Sequence, residues 1–299
     1  MRVTDMTDTI LSAIWEAQDN EQTALEQIST GKRVNRPSDD PAAAAEDVLN
    51  LSQQAQVAQY VQSTSSLNGQ FQTADSALGS AITALNQAVS LGTEGASGTL
   101  SASDQQALAA SIQGVLNQVV QLANTSYQGS YIFGGTAVTS APFSVVGGVV
   151  TYTTANGNAG INQATIADGL SIQTNVPGSQ LFMQPGSDVM GSLEQLITAV
   201  QSGDTTATSN ATAAVSNALN YLSAQQTFYS NAMSQVNNEQ TSLNQQTTNL
   251  QSQENTLVGV DMAQAATDLT QAQTDDQAVL EAAARVLPMT LLNYLAPGS

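Results

Sequence analysis

The sequence predicts a mainly α fold, an elongated antiparallel bundle of long helices with a small inserted β domain and amphipathic helices at both ends. Three observations carry this. Apolar residues recur at three- and four-residue spacing through most of the 299 positions, the mark of helices buried along one stripe. Between about Tyr131 and Met183 that spacing gives way to short β-branched and aromatic runs parted by glycine-rich dipeptides, which is hairpin texture. Aromatic residues are only 4% of the chain against 41% apolar, which suits narrow helical seams better than one thick core.

The elements follow in order. Met6, Ile10, Ala13, Ile14, Ala17, Ala24, Leu25 and Ile28 predict one amphipathic helix from about Thr4 to Ser29, stopped by Gly31. In the loop from Gly31 to Pro41, Asp40 suits an N-cap with Pro41 at the first helical position. A helix of about 50 residues, roughly 75 Å long at 1.5 Å per residue, then runs to Leu91. After the turn from Gly92 to Ser101, Ser103 and Gln106 offer a capping box for a third helix through Leu108, Ile112, Val115, Val119 and Leu122. Hairpin runs follow, with tight turns expected at Asn156-Gly157, Asp168-Gly169 and Pro177-Gly178.

Beyond Pro185-Gly186 a short helix over Val189–Gln201 precedes a second long one from about Thr206 to Leu257. There Val215, Leu222, Tyr229, Val236, Leu243, Leu250 and Leu257 are apolar at every seventh position. The companion row is poor in its later half, where Glu239, Gln240, Gln246 and Gln253 stand, so one narrow stripe is expected to pack. The two long helices match in length, and antiparallel pairing follows. Gly259 ends the run, and a last helix begins near Asp261 with Met262, Ala266, Leu269, Leu280, Leu287 and Leu291 as its apolar residues. The expected segments are 1–36, 37–130, a β insert at 131–186, 187–258 and 259–299.

Composition excludes much chemistry. There is no Cys and no His, which removes thiolate nucleophiles, imidazole bases and His or Cys metal sites. Five basic residues face 24 acids, a net charge of -19, so nucleic acid and anionic membranes would be repelled. Arg2, Lys32, Arg33 and Arg36 lie at one end of the sequence and Arg285 near the other, leaving 37–284 without a positive charge. The cations of the loop are therefore expected to find carboxylates on neighbouring subunits. No apolar stretch reaches the length of a membrane span, and the start lacks a cleavable signal pattern.

The motifs are mostly structural. Gly31-Lys32 lacks the preceding Gly and following Ser or Thr of a phosphate loop, because Glu26 and Arg33 occupy those places. The carboxylate pairs Asp39-Asp40, Glu46-Asp47 and Asp275-Asp276 read as caps and polar faces. Asn50, Asn124 and Asn210 open glycosylation sequons, a pattern common in Ser/Thr-rich chains. Trp15 reads as packing at the edge of the first stripe.

Ile28-Ser29-Thr30-Gly31-Lys32-Arg33-Val34-Asn35-Arg36-Pro37-Ser38-Asp39-Asp40-Pro41 resembles the signature loop of the flagellin superfamily, in its hook-filament junction form. Ordinary flagellins usually carry Asn-Ser-Ala-Lys-Asp-Asp-Ala-Ala-Gly there. Asp261-Met262-Ala263-Gln264-Ala265-Ala266-Thr267-Asp268-Leu269, Leu291-Leu292-Asn293-Tyr294-Leu295 and Tyr131-Ile132-Phe133-Gly134-Gly135-Thr136 followed by Pro142-Phe143 are similar to the same family. The resemblance covers essentially the whole chain. It departs at Pro288, where relatives usually continue the terminal helix and a proline removes a backbone bond.

The resemblance implies a structural subunit of the bacterial flagellum, exported unfolded through the type III channel without signal cleavage. Its role would be an adaptor joining the hook, through hook-associated protein 1, to the flagellin filament; the filament subunit itself is the alternative. An enzyme on this scaffold and a coiled-coil adhesin are weaker readings. Copies of itself in a ring or short layer and an export chaperone are further implied partners, and no cofactor is implied. The assembly interface is then expected at Met6, Ile10, Ile14, Leu25 and Ile28, at Lys32, Arg33, Asn35, Arg36, Pro37, Asp39 and Asp40, and at Leu269, Leu280, Leu287, Leu291, Leu292 and Tyr294.

Overall fold

The computed structural model describes the backbone of residues 3–153 and 160–295, and the side chains of 8–153 and 160–285. In chain order it has α1 (Val3–Thr30), α2 (Pro41–Gly95), α3 (Ala102–Ala123), β1 (Ser126–Tyr127), β2 (Ser130–Tyr131), β3 (Phe143–Val146), β4 (Val149–Tyr152), β5 (Gln163–Ala167) and β6 (Leu170–Gln173). Then come α4 (Gly178–Phe182), β7 (Met183–Gln184), β8 (Ser187–Asp188), α5 (Val189–Ser202), α6 (Thr205–Val258) and α7 (Met262–Leu295). Consecutive strands pair antiparallel into four separate hairpins. The backbone of α7 stays helical through Pro288. Among the described residues no helix is long and apolar enough to cross a membrane.

The chain divides into two compact units, one of Met1–Val57 with Gln245–Ser299, the other Ala58–Asn244. In the second unit α3 packs along α5. The core there is built by Leu78 and Leu85 of α2, Ile112 and Leu116 of α3, Leu193 and Leu196 of α5, and Val215, Leu222 and Val236 of α6. Tyr229 lies fully buried among Phe71, Phe133 and Phe228, with ring centroids 6.1, 6.4 and 5.1 Å away. Its hydroxyl oxygen accepts from the Val176 amide at 3.2 Å, and burial pushes the phenol far above its ordinary range, so it stays neutral. The seven-residue stripe of α6 is largely the packing stripe: Val215, Leu222, Tyr229, Val236, Leu243 and Leu250 are all buried.

Side-chain amides join the hairpins to the helices. Asn124, just past α3, accepts from the Phe143 amide at 3.0 Å and donates to its carbonyl at 2.9 Å, acting as a one-residue strand beside β3. Asn175 does the same for the chain before β5, accepting from Asn162 N and donating to Gly160 O. Glu194 of α5 accepts from the Val150 amide at 2.6 Å and fixes the β3–β4 hairpin. Two expectations fail. The capping box of α3 is Ser101 with Asp104, two residues earlier than Ser103 with Gln106, because an aspartate reaches back to the cap amide as well as a longer side chain does. Pro177-Gly178 opens α4 and is not a hairpin turn; a Cβ on Gly178 would crowd the Phe133 carbonyl and the Phe143 ring. Asn156-Gly157 lies outside the described residues.

Candidate assembly interface

All sequence-expected interface residues lie in the first unit. There α1 packs against α7. Burial on α1 recurs at Ile10, Ile14, Ala17, Glu21, Ala24 and Ile28, and on α7 at Ala265, Leu269, Ala272, Asp276, Val279 and Ala283. These are steps of four and three, the heptad spacing of a coiled-coil seam. Alanines form its tightest layers: Ala17, Ala24, Ala265, Ala272 and Ala283 are 5, 5, 1, 6 and 5% exposed. Acids interrupt it, and one carboxylate oxygen of Asp276 is buried without a hydrogen-bond partner.

Large apolar residues stand outside that seam. Leu11, Trp15 and Leu25 are 47, 68 and 48% exposed and, with Gln18 and Gln22, form a second stripe of α1 at the same four-three spacing. On α7 Met262 and Leu280 are exposed too. Leu25, Met262 and Leu280, which the apolar spacing groups with the seam residues, are exposed on these helices, and Trp15, read as packing at the edge of the first stripe, is exposed as well. The side chains of Met6, Leu287, Leu291, Leu292 and Tyr294 lie outside the described residues.

The signature loop is tied to the other end of the chain. Gly31 ends α1 with φ +70, the left-handed conformation glycine tolerates. The Arg33 amide donates to Val258 O at 2.7 Å and the Val260 amide to Gly31 O at 3.1 Å, a two-bond antiparallel bridge between the breaks that end α1 and α6. Val34 seals it against Ala43 and Val258. Asp39 accepts from the amides of Asn35 and Arg36 at 3.0 and 2.8 Å, which tightens the turn, and Asn35 donates to the Lys32 carbonyl. As expected, Asp40 caps α2 through the Ala43 amide.

Each loop cation is already paired within its own chain. Lys32 meets Glu254 at 2.8 Å, Arg33 meets Asp40 at 3.2 Å, and Arg36 meets Glu26 at 2.9 Å. The expectation that these cations wait for neighbouring subunits is therefore corrected: the acids of 37–284 include Asp40 and Glu254, which the fold brings back to the loop. Lys32 is held above its ordinary pKa mainly by its hydrogen bond to Glu254. Glu254 is held below its own by Lys32 and then by Gln54. Asp39 and Asp40 are lowered chiefly by the backbone amides they accept from.

Sequence reasoning missed the polar core behind the loop. Asn50, 5% exposed, donates to the Leu250 carbonyl and to Gln253, and accepts from Gln54, whose amide also donates to Glu254. The line from Lys32 through Glu254 and Gln54 to Asn50 thus joins the loop, α2 and α6. It also disposes of one sequon, since Asn50 is buried and engaged, and Asn124 is likewise consumed by Phe143. The poor second row of α6 was the available signal, because Gln253 and Glu254 need polar partners if they face inward.

Among the described residues, the α1–α7 seam is thus flanked by exposed apolar side chains, Leu11, Trp15 and Leu25 on one helix and Met262 and Leu280 on the other. Residues 5–138 match the bacterial flagellin N-terminal helical region and 212–295 the bacterial flagellin C-terminal helical region. The chain belongs to the flagellin family. Within it, the chain is 42% identical over 120 residues to the flagellar hook-associated protein 3 of Escherichia coli K12, across 40% of this chain and 38% of that protein. It is 38% identical over 134 residues to the same-named protein of Salmonella typhimurium LT2, across 44% of this chain and 42% of that one. The matched stretches thus span about two fifths of these curated relatives. The solved hook-associated protein 3 of Legionella pneumophila is similar in fold, with a TM-score of 0.62 at 13% identity over 70% of this chain and 98% of that one.

Proposed function

We propose that the chain is the adaptor of the hook-filament junction, a structural subunit that joins hook-associated protein 1 to the flagellin filament. The identity to two hook-associated proteins 3 carries this reading, because it favours the junction branch over filament flagellin. The exposed Leu11-Trp15-Leu25 stripe beside the α1–α7 seam supports it: an uncharged heptad row on a helix whose other row already packs on α7 suits a further helix. The interface comprises that stripe, the exposed apolar residues of α7, and the signature loop as the brace that orients both helices. Copies of the chain form a ring or short layer, an export chaperone escorts the chain, and it leaves the cell through the flagellar export channel to lie outside it. No catalysis or cofactor belongs to this role.

A filament subunit must present surfaces complementary to itself so that identical contacts propagate, whereas an adaptor prefers a different protein on each side. Purified protein is expected to add to hook ends carrying hook-associated protein 1 and to stop after a short layer, as seen by electron microscopy. Long filaments grown from this protein alone would overturn the adaptor reading and leave the filament subunit in its place.

A further inference from the structure

A cavity of about 180 Å³ lies wholly within the second unit, and none of the residues around it belongs to the proposed interface. Helix α2 lines it with Ser66 and Gln70, one turn apart on the same face, and the β1–β2 hairpin with Tyr127, Gln128 and Tyr131. Asn162 and Asn175, which flank the β5–β6 hairpin, close it. Two local rules are broken here. Among the described residues Gln128 alone has a positive φ without being glycine, +49, a conformation that strains a residue with a side chain. Its side-chain amide then donates to the Tyr127 hydroxyl at 3.3 Å. Gly69 stands inside α2, where glycine weakens a helix, because a Cβ there would strike the Tyr127 hydroxyl and come 3.0 Å from its ring. Both departures serve one end, the seating of Tyr127 at the cavity wall.

The polar groups of the wall are only partly committed. Asn175, 1% exposed, accepts from Asn162 N at 2.7 Å and donates to Gly160 O at 3.1 Å, and the Asn162 side-chain amide donates to Gly135 O at 2.8 Å. Among the described residues this leaves the side-chain carbonyls of Asn162 and Gln128 and the hydroxyls of Ser66 and Tyr131 without a protein partner. Those groups select the ligand. An apolar molecule would strand them. A cation would lose its hydration to a lining that holds no carboxylate, and an anion would meet no base in a chain of net charge -19. A sugar answers both needs: its hydroxyls donate and accept, and its ring offers an aliphatic face to tyrosine. We infer that the cavity is a binding site for one neutral pyranose, free or at the end of a glycan, packed on Tyr127 and held by Gln128, Asn162, Ser66 and Tyr131. Its volume is that of about six waters at about 30 Å³ each, which admits one such ring.

Saturation-transfer NMR on the full chain tests this with glucose, galactose, mannose and N-acetylglucosamine, each beside its methyl glycoside, and with glucuronate and N-acetylglutamine amide as controls. Transfer to at least one neutral sugar is expected, with half-saturation at about 1 to 10 mM, the range a ligand this small reaches. Both controls should respond at least about tenfold more weakly. Transfer to the methyl glycosides as well marks a glycan end as the source, and transfer to free sugars alone marks the free form. Gln128→Gly relieves the strained turn, so the variant should melt no lower than the parent while half-saturation rises about tenfold. Binding of no sugar, equal binding of either control, or unchanged affinity in the variant would overturn the inference. None of these outcomes touches the adaptor reading, which filament length decides.

Discussion

At the residue scale, the Lys32–Glu254 contact has a definite dependence on pH. Glu254 is lowered in the folded chain, so its contribution is complete above the ordinary glutamate value of 4.5 and is lost as pH falls through that value and below. Lys32 is raised, so its contribution is complete below 10.5 and fades as pH rises past it. The brace is therefore flat through the neutral range and weakens on the acid side. The Lys32 side chain is 39% exposed and solvent screens the pair, which limits it to about 0.5 to 1 kcal/mol. Hydrogen exchange at the Val260 and Arg33 amides reads this directly. Protection relative to Glu254→Gln should be about two- to fivefold higher at neutral pH, and the gap should shrink as pH falls below 4.5; a constant gap would show that the ion pair does not hold the bridge.

At the scale of elements, the two units differ in what joins their helices. Between Ala58 and Asn244 the seams of α2, α3, α5 and α6 set large leucine, isoleucine, valine and aromatic side chains among their alanines. The α1–α7 seam has alanine at five of its twelve positions and acids at two, and alanine buries too little apolar surface to match them. In free protein, amides of Ala17, Ala24 and Ala272 are expected to exchange at least a hundredfold faster than those of Leu222 and Leu116; equal protection would refute a weak terminal coil. The same contrast explains what the sequence made legible. The stripe of α6 could be read because its residues are large and regularly spaced, and the Asp40–Pro41 start because capping chemistry is local. The α1–α7 seam was legible only in part: Ile10, Ile14, Ile28 and Leu269 mark it by their spacing, whereas Ala265, Ala272 and Ala283 do not, because alanine looks neutral on either face of a helix. The Asn50 network and the Lys32–Glu254 pair could not be read, because their members lie some two hundred residues apart and meet only through the fold.

For the whole molecule, separation along the chain becomes a matter of timing. The hydrogen bond from the Arg33 guanidinium to the Leu257 carbonyl spans 224 residues, and the bridge beside it spans a similar stretch. Closing so long a loop costs entropy before any contact at the ends repays it, and that cost is smaller once the intervening chain is compact. The Ala58–Asn244 unit is thus expected to condense first, with the two ends meeting last over its already ordered helices. Stopped-flow refolding should show burial of Tyr229 preceding any signal from Trp15 and the loop; simultaneous changes would argue against this order. A polypeptide with such a schedule is a hairpin that zips from its middle outward, so an incomplete chain lacking its last forty residues would already be folded at its centre while its beginning still searched for a mate.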